Sequence, residues 1–596
     1  MSRSRLRRPR HRAAAGSTTR NRAGRIAARL TIAAIVAAGT ALGAAAGSSG
    51  ASAATTLVVD ANQPFRAVTH VASGALYGLD TASVPADSLV EPLHPNTFVQ
   101  MAPGGKQLPN GEPAPGGDSL VVAPEAAKAG AKVVVRMPDW YPNFPYVWVS
   151  WSNWLSAVDT QVKAVLASGD SNISAFELWN EPDGTWNTAA AGPFDAGWAR
   201  TFNEVRADDP GAPIQGPSFS TWNSGLMSTF LTDAKASGTL PNVISWHELS
   251  GSSKIAADVA AYRALEKSLG IGPLPIAIEE YGEPSEVGVP GSLVGYIAKF
   301  ERAGVANAEL AFWNQYGTLG DTLVSTGGAP NAAYWLYYWY GSMTGNMVTT
   351  VPPAQTGLDG AASVNSAGNQ VSVVFGGGSG STAVTVNGLG AAFGSTAHAV
   401  LEQTVSAGRT TAVVGPQVIS SANIAVSNGS ITVPVSAMNA ANGYHLLITP
   451  GSSPALSGTF TIKNGHSGLR LDTTGSGTAQ GTLAVQATTD SSTTQDWTLV
   501  PEGSNYYEIK NAASGLVLGV SAEGVTAGAD ALIWGDNGTS DHLWQVVAQG
   551  SGQYKIVNYN SGLVLGVQNQ STASGGQVLQ WTDNGTPDHL WALTAT

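Results

Sequence analysis

The chain has 596 residues, of which 12% are charged, and a formal net charge of −12. Ten of its 29 basic residues lie within positions 1–53, which hold no acid, so the rest of the chain carries 19 basic against 41 acidic side chains, a net charge near −22. This excess of negative charge argues against nucleic acid or an anionic membrane as a partner. The absence of cysteine excludes disulfides and thiolate chemistry.

The histidine and glycine patterns predict neither a metal nor a cofactor. The nine histidines include no close pair on a predicted helix, and no Gly-rich loop precedes a Lys in the way that a phosphate-binding loop requires. The length is too great for one hydrophobic core and predicts several domains.

Residues 1–53 have the composition of an export signal. Ten Arg precede an Ala-rich apolar run from Leu30 to about Ala46, and Ala51-Ser52-Ala53 has the small-x-small form of a cleavage site. A membrane anchor is the alternative, but the run is short and weakly apolar beside the roughly 20 residues that a span needs. We therefore predict a signal peptide over 1–53, a secreted, extracellular protein and no membrane association after cleavage.

Between about residues 55 and 349, short apolar runs alternate with stretches of helical spacing, as at Trp154, Val158 and Val162. Eight runs are candidate parallel strands, near 67–76, 97–101, 132–137, 173–181, 213–217, 243–247, 275–281 and 308–313. They predict a (β/α)8 TIM barrel over 54–350, with its first strand shared with the next domain. Polar residues at the strand ends are then the candidate site, because these ends share one face of such a barrel.

Two of the runs end in carboxylates. One reaches Glu181 before a proline breaks it, and another reaches Glu279 and Glu280 before a glycine. Alternation along the first strand predicts that Glu177, Trp179 and Glu181 share one face. Either acid alone could cap a loop or pair with an Arg, but acids at two such strand ends favour the carboxylate pair of a glycosidase.

The sequence around the two acids resembles that of the retaining glycoside hydrolases of clan A, and most of all family 39. Trp179-Asn180-Glu181-Pro182 and Ile278-Glu279-Glu280-Tyr281-Gly282 carry the resemblance. It implies that Glu181 is the acid/base and that Asn180 binds the 2-hydroxyl of the sugar. It also implies that Glu280 is the nucleophile, although Glu279 stands where the family usually has a small hydroxyl residue and is the alternative.

A third strand end leads into an aromatic loop. Arg136 should point into the barrel, where it either orients one of the catalytic acids or pairs with Glu177. Trp140 follows at the strand end and is the ring that we expect to stack on the sugar, although such rings can also seal a barrel rim.

Two more strand ends match family 39 or its clan. The resemblance implies that His247 lies within reach of the substrate and that Trp313 forms the floor beneath it. The family places a Tyr two residues after this His to hold the nucleophile, and here that position is Leu249. Tyr281 and Tyr316 are the candidate substitutes, and Tyr281 is counted among the substrate-binding residues.

Past the barrel the periodicity changes. Residues 351–450 alternate with period two between Gly and Asn turns, which predicts a β-sandwich with no site of its own. A short Ser-Pro linker over 451–456 follows, and a threefold repeat occupies 457–596: Trp497, Trp544 and Trp591 are spaced by 47 and 47 residues.

The repeats resemble the ricin-type β-trefoil of carbohydrate-binding module family 13. Their three spaced Trp are expected to be core residues. The resemblance implies sugar contacts in the second and third repeats, from Trp534, Asp536, Asn537, Trp581, Asp583 and Asn584. The usual Asp of this module is replaced by Gly519 and Gly566 in these two repeats, and Ala487 occupies the ring position in the first.

Taken together, these features predict a TIM barrel, a β-sandwich and a β-trefoil in a secreted retaining glycoside hydrolase. The expected substrate is a plant cell-wall polysaccharide or its side chains, with a pentoside such as a xyloside or arabinoside favoured. A carbohydrate-binding protein without activity and an endo-acting clan A glycanase are the alternatives. No oligomeric state is predicted.

Overall fold

A computed structural model describes residues 55–107, 117–311, 318–320, 322–451, 456–503, 506–550 and 552–596. The predicted signal peptide, Trp313 and Tyr316 lie outside these ranges. Within them, no helix combines the length and the apolar character that a membrane crossing requires.

Eight parallel strands close into a barrel in chain order, with the last strand bonded to the first. A longer strand, β1 (Thr55–Ala67), precedes them. The barrel strands are β2 (Gly74–Leu76), β3 (Thr97–Met101), β4 (Lys132–Arg136), β5 (Ile173–Glu177), β6 (Ile214–Phe219), β7 (Val243–Glu248), β8 (Ile276–Tyr281) and β9 (Asn307–Ala311).

In the part of the chain that the structure describes, ten α-helices lie in and around the barrel. They are α1 (Asp87–Val90), α2 (Ser119–Lys128), α3 (Trp151–Ser168), α4 (Pro182–Thr185), α5 (Thr188–Ala191), α6 (Phe194–Asp208), α7 (Ser224–Ser237), α8 (Ile255–Ser268), α9 (Pro290–Ala303) and α10 (Ala332–Gly341). Short 3-10 turns occur at Glu91–Leu93, Met137–Trp140, Ser252–Lys254, Ala391–Phe393, Thr474–Ser476, Thr493–Gln495, Ser521–Glu523, Ser540–His542, Gln568–Gln570 and Pro587–His589.

Helix α3 shows how local sequence sets these elements. The Ser150 side chain accepts a hydrogen bond from the Asn153 N–H at the start, and Gly169 ends the helix in a left-handed conformation with φ of 75°. Trp154, Val158 and Val162 are fully buried, as their helical spacing predicts. This face covers the outside of the barrel.

Strand β5 is shorter than predicted. It ends at Glu177, and the chain then turns, so that Trp179 lies in an aromatic cluster against Trp154 and Trp186, with ring centroids 5.2 and 4.8 Å apart. The expectation that Glu177, Trp179 and Glu181 share one strand face is therefore wrong.

The second sheet has nine strands in the order β15-β14-β17-β12-β11-β10-β1-β13-β16. Its remaining members are β10 (Asn346–Val351), β11 (Asp359–Val364), β12 (Val371–Gly376), β13 (Gly380–Asn387), β14 (Thr396–Thr404), β15 (Gln417–Ala425), β16 (Ile431–Met438) and β17 (Gly443–Pro450). As predicted, β1 joins this sheet, antiparallel to β10 and parallel to β13. Lys299 and Arg302 of α9 both bind Asp359 of β11, at 3.0 and 2.8 Å, which ties the sheet to the barrel.

The last 12 strands form the C-terminal domain. They are β18 (Gly458–Asn464), β19 (Arg470–Thr473), β20 (Ala484–Ala487), β21 (Asp496–Gly503), β22 (Tyr506–Asn511), β23 (Val517–Val520), β24 (Ala531–Trp534), β25 (Leu543–Gly550), β26 (Gln553–Asn558), β27 (Val564–Val567), β28 (Gly576–Trp581) and β29 (Trp591–Ala595). Trp497, Trp544 and Trp591 are fully buried, and each indole N–H donates to a backbone carbonyl at 2.8–3.0 Å. The prediction that these three are core residues is confirmed.

Candidate active site

Glu181 lies where the chain leaves β5. Its φ of 50° and ψ of 52° are left-handed, a conformation that costs a non-glycine residue about 1–3 kcal/mol. The Glu181 N–H donates to the Ser218 carbonyl of β6 at 2.9 Å, which fixes this turn. Backbone strain held in this way at a strand end is typical of a functional position.

Glu280 reaches the same region from β8. Arg136, at the end of β4, donates from one nitrogen to Glu280 Oε1 at 2.6 Å and from another to Glu177 Oε2 at 2.8 Å. The guanidinium is buried, so it holds the two carboxylates in place in an environment of low dielectric. Both alternatives considered for Arg136, orienting a catalytic acid and pairing with Glu177, are realised at once. Arg136 was also counted among the substrate-binding residues, and that role stays a prediction; its side chain is 1% exposed and contacts Glu280 directly.

His247 of β7 stands between the two acids. Its Nδ1 lies 3.3 Å from Glu181 Oε1 and 3.8 Å from Glu280 Oε2, and the three groups place these atoms within 4.8 Å of one another. Burial disfavours the imidazolium, but the charges of Glu280 and Glu181 outweigh it and raise the pKa of His247. The same three side chains are close enough to ligate a cation, but the Arg136 guanidinium on Glu280 opposes one.

Glu279 points elsewhere. It is fully buried inside the barrel, where the Gln215 side-chain amide donates to its Oε1 at 2.5 Å. The strand pairing shifts register between Ile278 and Tyr281, which lets the next side chain, Glu280, turn toward Arg136 and His247. This geometry favours Glu280 over Glu279 as the nucleophile.

Asn180 is held by a chain of hydrogen bonds from the aromatic loop. Its Nδ2 donates to the Tyr146 hydroxyl at 3.4 Å, and that hydroxyl donates to Asp139 Oδ1 at 2.8 Å. Tyr77 donates to the other oxygen of Asp139 at 2.6 Å. Sequence reasoning did not single out Asp139; the one signal for it was an acid directly after the strand that ends in Arg136.

The Asp139 carboxyl is completely buried. Burial raises its pKa to about 6, although Arg136 and the hydroxyls of Tyr77 and Tyr146 act in the opposite direction. Above its pKa this group adds a second buried negative charge beside Glu280.

The raised pKa of Asp139 predicts a pH-dependent stability. Between the ordinary value of 3.8 and about pH 6 the folded protein keeps a proton that the unfolded chain has lost, so the free energy of unfolding falls as pH rises through this window. Asp139→Asn removes the titration. We expect the stability of wild type relative to this variant to drop by about 2 kcal/mol between pH 4 and pH 7. Urea unfolding of both proteins at several pH values measures it, and parallel curves would contradict it.

The two remaining predicted barrel residues, Trp140 and Tyr281, differ in where their side chains lie. Trp140 is half-buried in the turn after β4, with the Lys106 ammonium 6.0 Å from its ring centroid. Tyr281 is fully buried outside the barrel, packed on Tyr296 and Phe300, and its hydroxyl donates to the Ala72 carbonyl at 2.6 Å. Its assignment to substrate binding is wrong, because the side chain after Glu280 on the strand points to the opposite face.

The trefoil repeats differ in what their acids contact. Trp534 and Trp581 are 38% and 40% exposed. The Asp536 side chain is 43% exposed, whereas that of Asp583 is 14% exposed and is bound by Lys555. Lys555 also donates to the Tyr338 hydroxyl of α10 at 3.3 Å, so the third-repeat acid is used in docking the trefoil on the barrel.

The remaining predicted sugar contacts lie in tight turns. Asn537 and Asn584 each accept hydrogen bonds from a Thr two residues on. A Cβ at Gly519 or Gly566 would overlap the ring of His542 or His589, which explains the missing Asp: the histidine fills its place.

This difference predicts unequal sugar binding by the two repeats. Trp534→Ala should weaken retention on polysaccharide by about tenfold, because a stacking ring beside an accessible acid is lost. Trp581→Ala should change it far less, since Asp583 is already paired. Affinity electrophoresis of both variants in gels containing arabinan or xylan measures the two effects. Equal losses would show that the Lys555 contact does not disable the third repeat.

Comparison with known proteins agrees with this architecture. Residues 444–534 and 540–596 match the family described as ricin-type beta-trefoil lectin domain-like. The structure of N2152 from Neocallimastix frontalis is 37% identical, covers 67% of this chain and 100% of its own, and superposes with a TM-score of 0.64.

Two curated enzymes are also similar. One is a 3-O-alpha-D-galactosyl-alpha-L-arabinofuranosidase of Bifidobacterium longum subsp. longum, 26% identical over 66% of this chain and 40% of the enzyme. The other is a 3-O-beta-L-arabinopyranosyl-alpha-L-arabinofuranosidase of Bifidobacterium pseudocatenulatum, 26% identical over 67% of this chain and 47% of the enzyme. The chain thus spans less than half the length of either.

The closed parallel barrel, the glutamates at its strand ends and the C-terminal ricin-type trefoil match the architecture of a clan A glycoside hydrolase that carries a carbohydrate-binding domain. Within that class, the chain belongs to the same family as N2152 from Neocallimastix frontalis.

Proposed function

We propose that the protein is a secreted, retaining glycoside hydrolase that cleaves α-L-arabinofuranosyl bonds in plant cell-wall polysaccharide or its side chains. The observation that carries the proposal is the placement of a Glu181 oxygen within 4.8 Å of a Glu280 oxygen. Retaining enzymes hold their two carboxyls about 5–5.5 Å apart, whereas inverting enzymes need about 6.5–9.5 Å to admit a water. The names of the two bifidobacterial relatives support the arabinofuranoside.

The reaction proceeds in two displacements. Glu280 attacks the anomeric carbon while Glu181 donates its proton to the leaving oxygen, which gives a covalent glycosyl-enzyme. Glu181, now ionised, then takes a proton from a water that releases the sugar. Arg136 holds Glu280 through a 2.6 Å hydrogen bond, in place of the tyrosine that Leu249 replaces.

The neighbours of the two acids support this division of roles. His247 contacts both carboxyls and constrains the position of each. The family resemblance gives Asn180 the role of binding the hydroxyl next to the anomeric carbon, and its hydrogen bond to Tyr146 supports that role by fixing the side chain. The trefoil would keep the barrel close to insoluble substrate.

The test is product release from aryl glycosides and from arabinan, arabinogalactan and xylan, with the anomeric configuration followed by NMR. We expect cleavage of an α-L-arabinofuranoside with retention. Inversion would overturn the mechanism, and cleavage of xylosides alone would replace the sugar. If no glycoside is cleaved while polysaccharide is still bound, the chain is a carbohydrate-binding protein.

A further inference from the structure

We propose that a cavity between the barrel, the nine-stranded sheet and the trefoil binds a neutral oligosaccharide, separately from the barrel site and from the exposed rings of Trp534 and Trp581; Asp583 of the third repeat lines this cavity. The cavity has a volume of about 710 Å³ and is lined by Trp339 of α10, Ser372 of β12, and Gln545 and Tyr559 of the trefoil. Pockets of about 300–1,000 Å³ at domain interfaces are the usual places for small-molecule sites.

The charges around this cavity are already paired. Its lining contains four ionisable acid or base side chains, and they form two contacts: Glu402 Oε2 lies 2.9 Å from His445 Nδ1, and Asp583 binds Lys555. The other nitrogen of the His445 ring bonds the Ser372 hydroxyl at 2.9 Å. A charged ligand would have to compete with these partners, so the lining favours a neutral ligand.

The side-chain amide of Gln545 in the lining has an unpaired donor. The Gln545 side chain is 4% exposed, and its Nε2 has no hydrogen-bond partner among the described residues. An unpaired buried donor costs about 1–3 kcal/mol. The Nε2 atom is covered in the ligand-free protein, so a ligand hydroxyl would bind it only after the Gln545 side chain turns toward the cavity. Its neighbours in the lining include amides and hydroxyls at Gln370, Asn560 and Ser561, which suit a ligand rich in hydroxyl groups.

Aromatic rings supply the apolar part of the site. Trp339 stacks on His445 with ring centroids 5.3 Å apart, which fixes the inner wall. Tyr559 is 54% exposed and stands edge-on to Tyr506 at 4.8 Å, so its ring is available at the mouth. Rings beside paired polar groups are what the C–H faces and hydroxyls of a sugar require.

Gly415 offers a way to close the cavity without disturbing its walls. A Cβ at this position would meet only the Gly562 carbonyl oxygen, at 3.7 Å, an ordinary contact. We therefore expect Gly415→Phe to fill the space between the sheet and the trefoil, and Gly415→Ala to leave it open. Gln545→Leu removes the unpaired donor and serves as a second variant if the Phe variant does not fold.

The experiment uses the full chain with Glu280→Gln, Trp534→Ala and Trp581→Ala, so that bound sugar is not cleaved and the trefoil surface is disabled. Titration calorimetry with arabino- and xylo-oligosaccharides should show one fewer bound oligosaccharide per chain in Gly415→Phe than in Gly415→Ala. Hydrogen exchange should show ligand protection of β25 and β26 only when the cavity is open.

Equal stoichiometry in the two Gly415 variants, or no protection of β25 and β26, would overturn the proposal. Hydrolysis by the wild-type chain is a separate readout, so failure of the proposed enzymatic function would leave this result unaffected.

Discussion

Replacing Glu280 by Gln should lower kcat/KM for the cleaved glycoside on the order of 10⁴-fold or more, because the covalent route is lost with its nucleophile. The Gln side chain keeps the shape of Glu280 and can still accept the Arg136 hydrogen bond, so the fold should persist. Initial rates on an activated aryl glycoside, beside the melting temperature of each protein, measure the effect.

The matched control is Glu279→Gln, one residue earlier on the same strand. It changes a fully buried group that contacts Gln215 inside the barrel, so activity should stay within about tenfold of wild type. Azide should restore turnover to Glu280→Ala with inverted product, since it replaces the missing nucleophile. An inactive Glu279 variant beside an active Glu280 variant would reverse the assignment made from the geometry.

The strand pattern of the barrel could be predicted because parallel strands and amphipathic helices leave a strong periodic signal. Each observed strand coincides with a predicted apolar run. The trefoil core could also be predicted, since three Trp at fixed intervals mark one buried position that is repeated three times. The resemblance to clan A came from the residues around Glu181 and Glu280, and the resemblance to the ricin-type domain came from the three repeats.

The details of the site were harder to predict from the sequence, because they depend on where the side chains of a strand stop alternating between its two faces. The chain bends after Glu177 instead of continuing to Glu181, which adopts a left-handed backbone that no composition rule assigns to Glu. A register shift near the end of β8 likewise separates Glu280 from Tyr281. Both departures decide which side chains reach the candidate site.

Long-range partners were the other missing information. Asp139 acquires its raised pKa from burial and from contacts with Tyr77 and Tyr146 that only the folded barrel creates. The sequence predicted that Asp583 binds sugar in its own repeat. In the structure Asp583 binds Lys555, which also donates to the Tyr338 hydroxyl, so these contacts join the trefoil to the barrel. Local sequence describes a residue's chemistry, and the tertiary contacts decide whether that chemistry is available.

Arg136→Met should destabilise the fold by about 3–5 kcal/mol, because it leaves buried carboxylates without their cation. Arg136 is 1% exposed and is the basic partner of both Glu177 and Glu280. Urea unfolding near neutral pH measures the loss. Adding Glu177→Met to Arg136→Met should recover part of it, since one unpaired acid is removed, and the double-mutant cycle gives the coupling between the two.

The penalty should also depend on pH. Burial already raises the pKa of Glu177, with Arg136 as the main opposing influence, so its removal raises that pKa further. The folded variant then binds protons that the unfolded chain has released, and its stability relative to wild type falls as pH rises. We expect Arg136→Met to be less harmful at acidic than at alkaline pH. A penalty that is small and constant with pH would mean that water or another cation reaches these acids, and that Arg136 orients Glu280 without being needed to neutralise it.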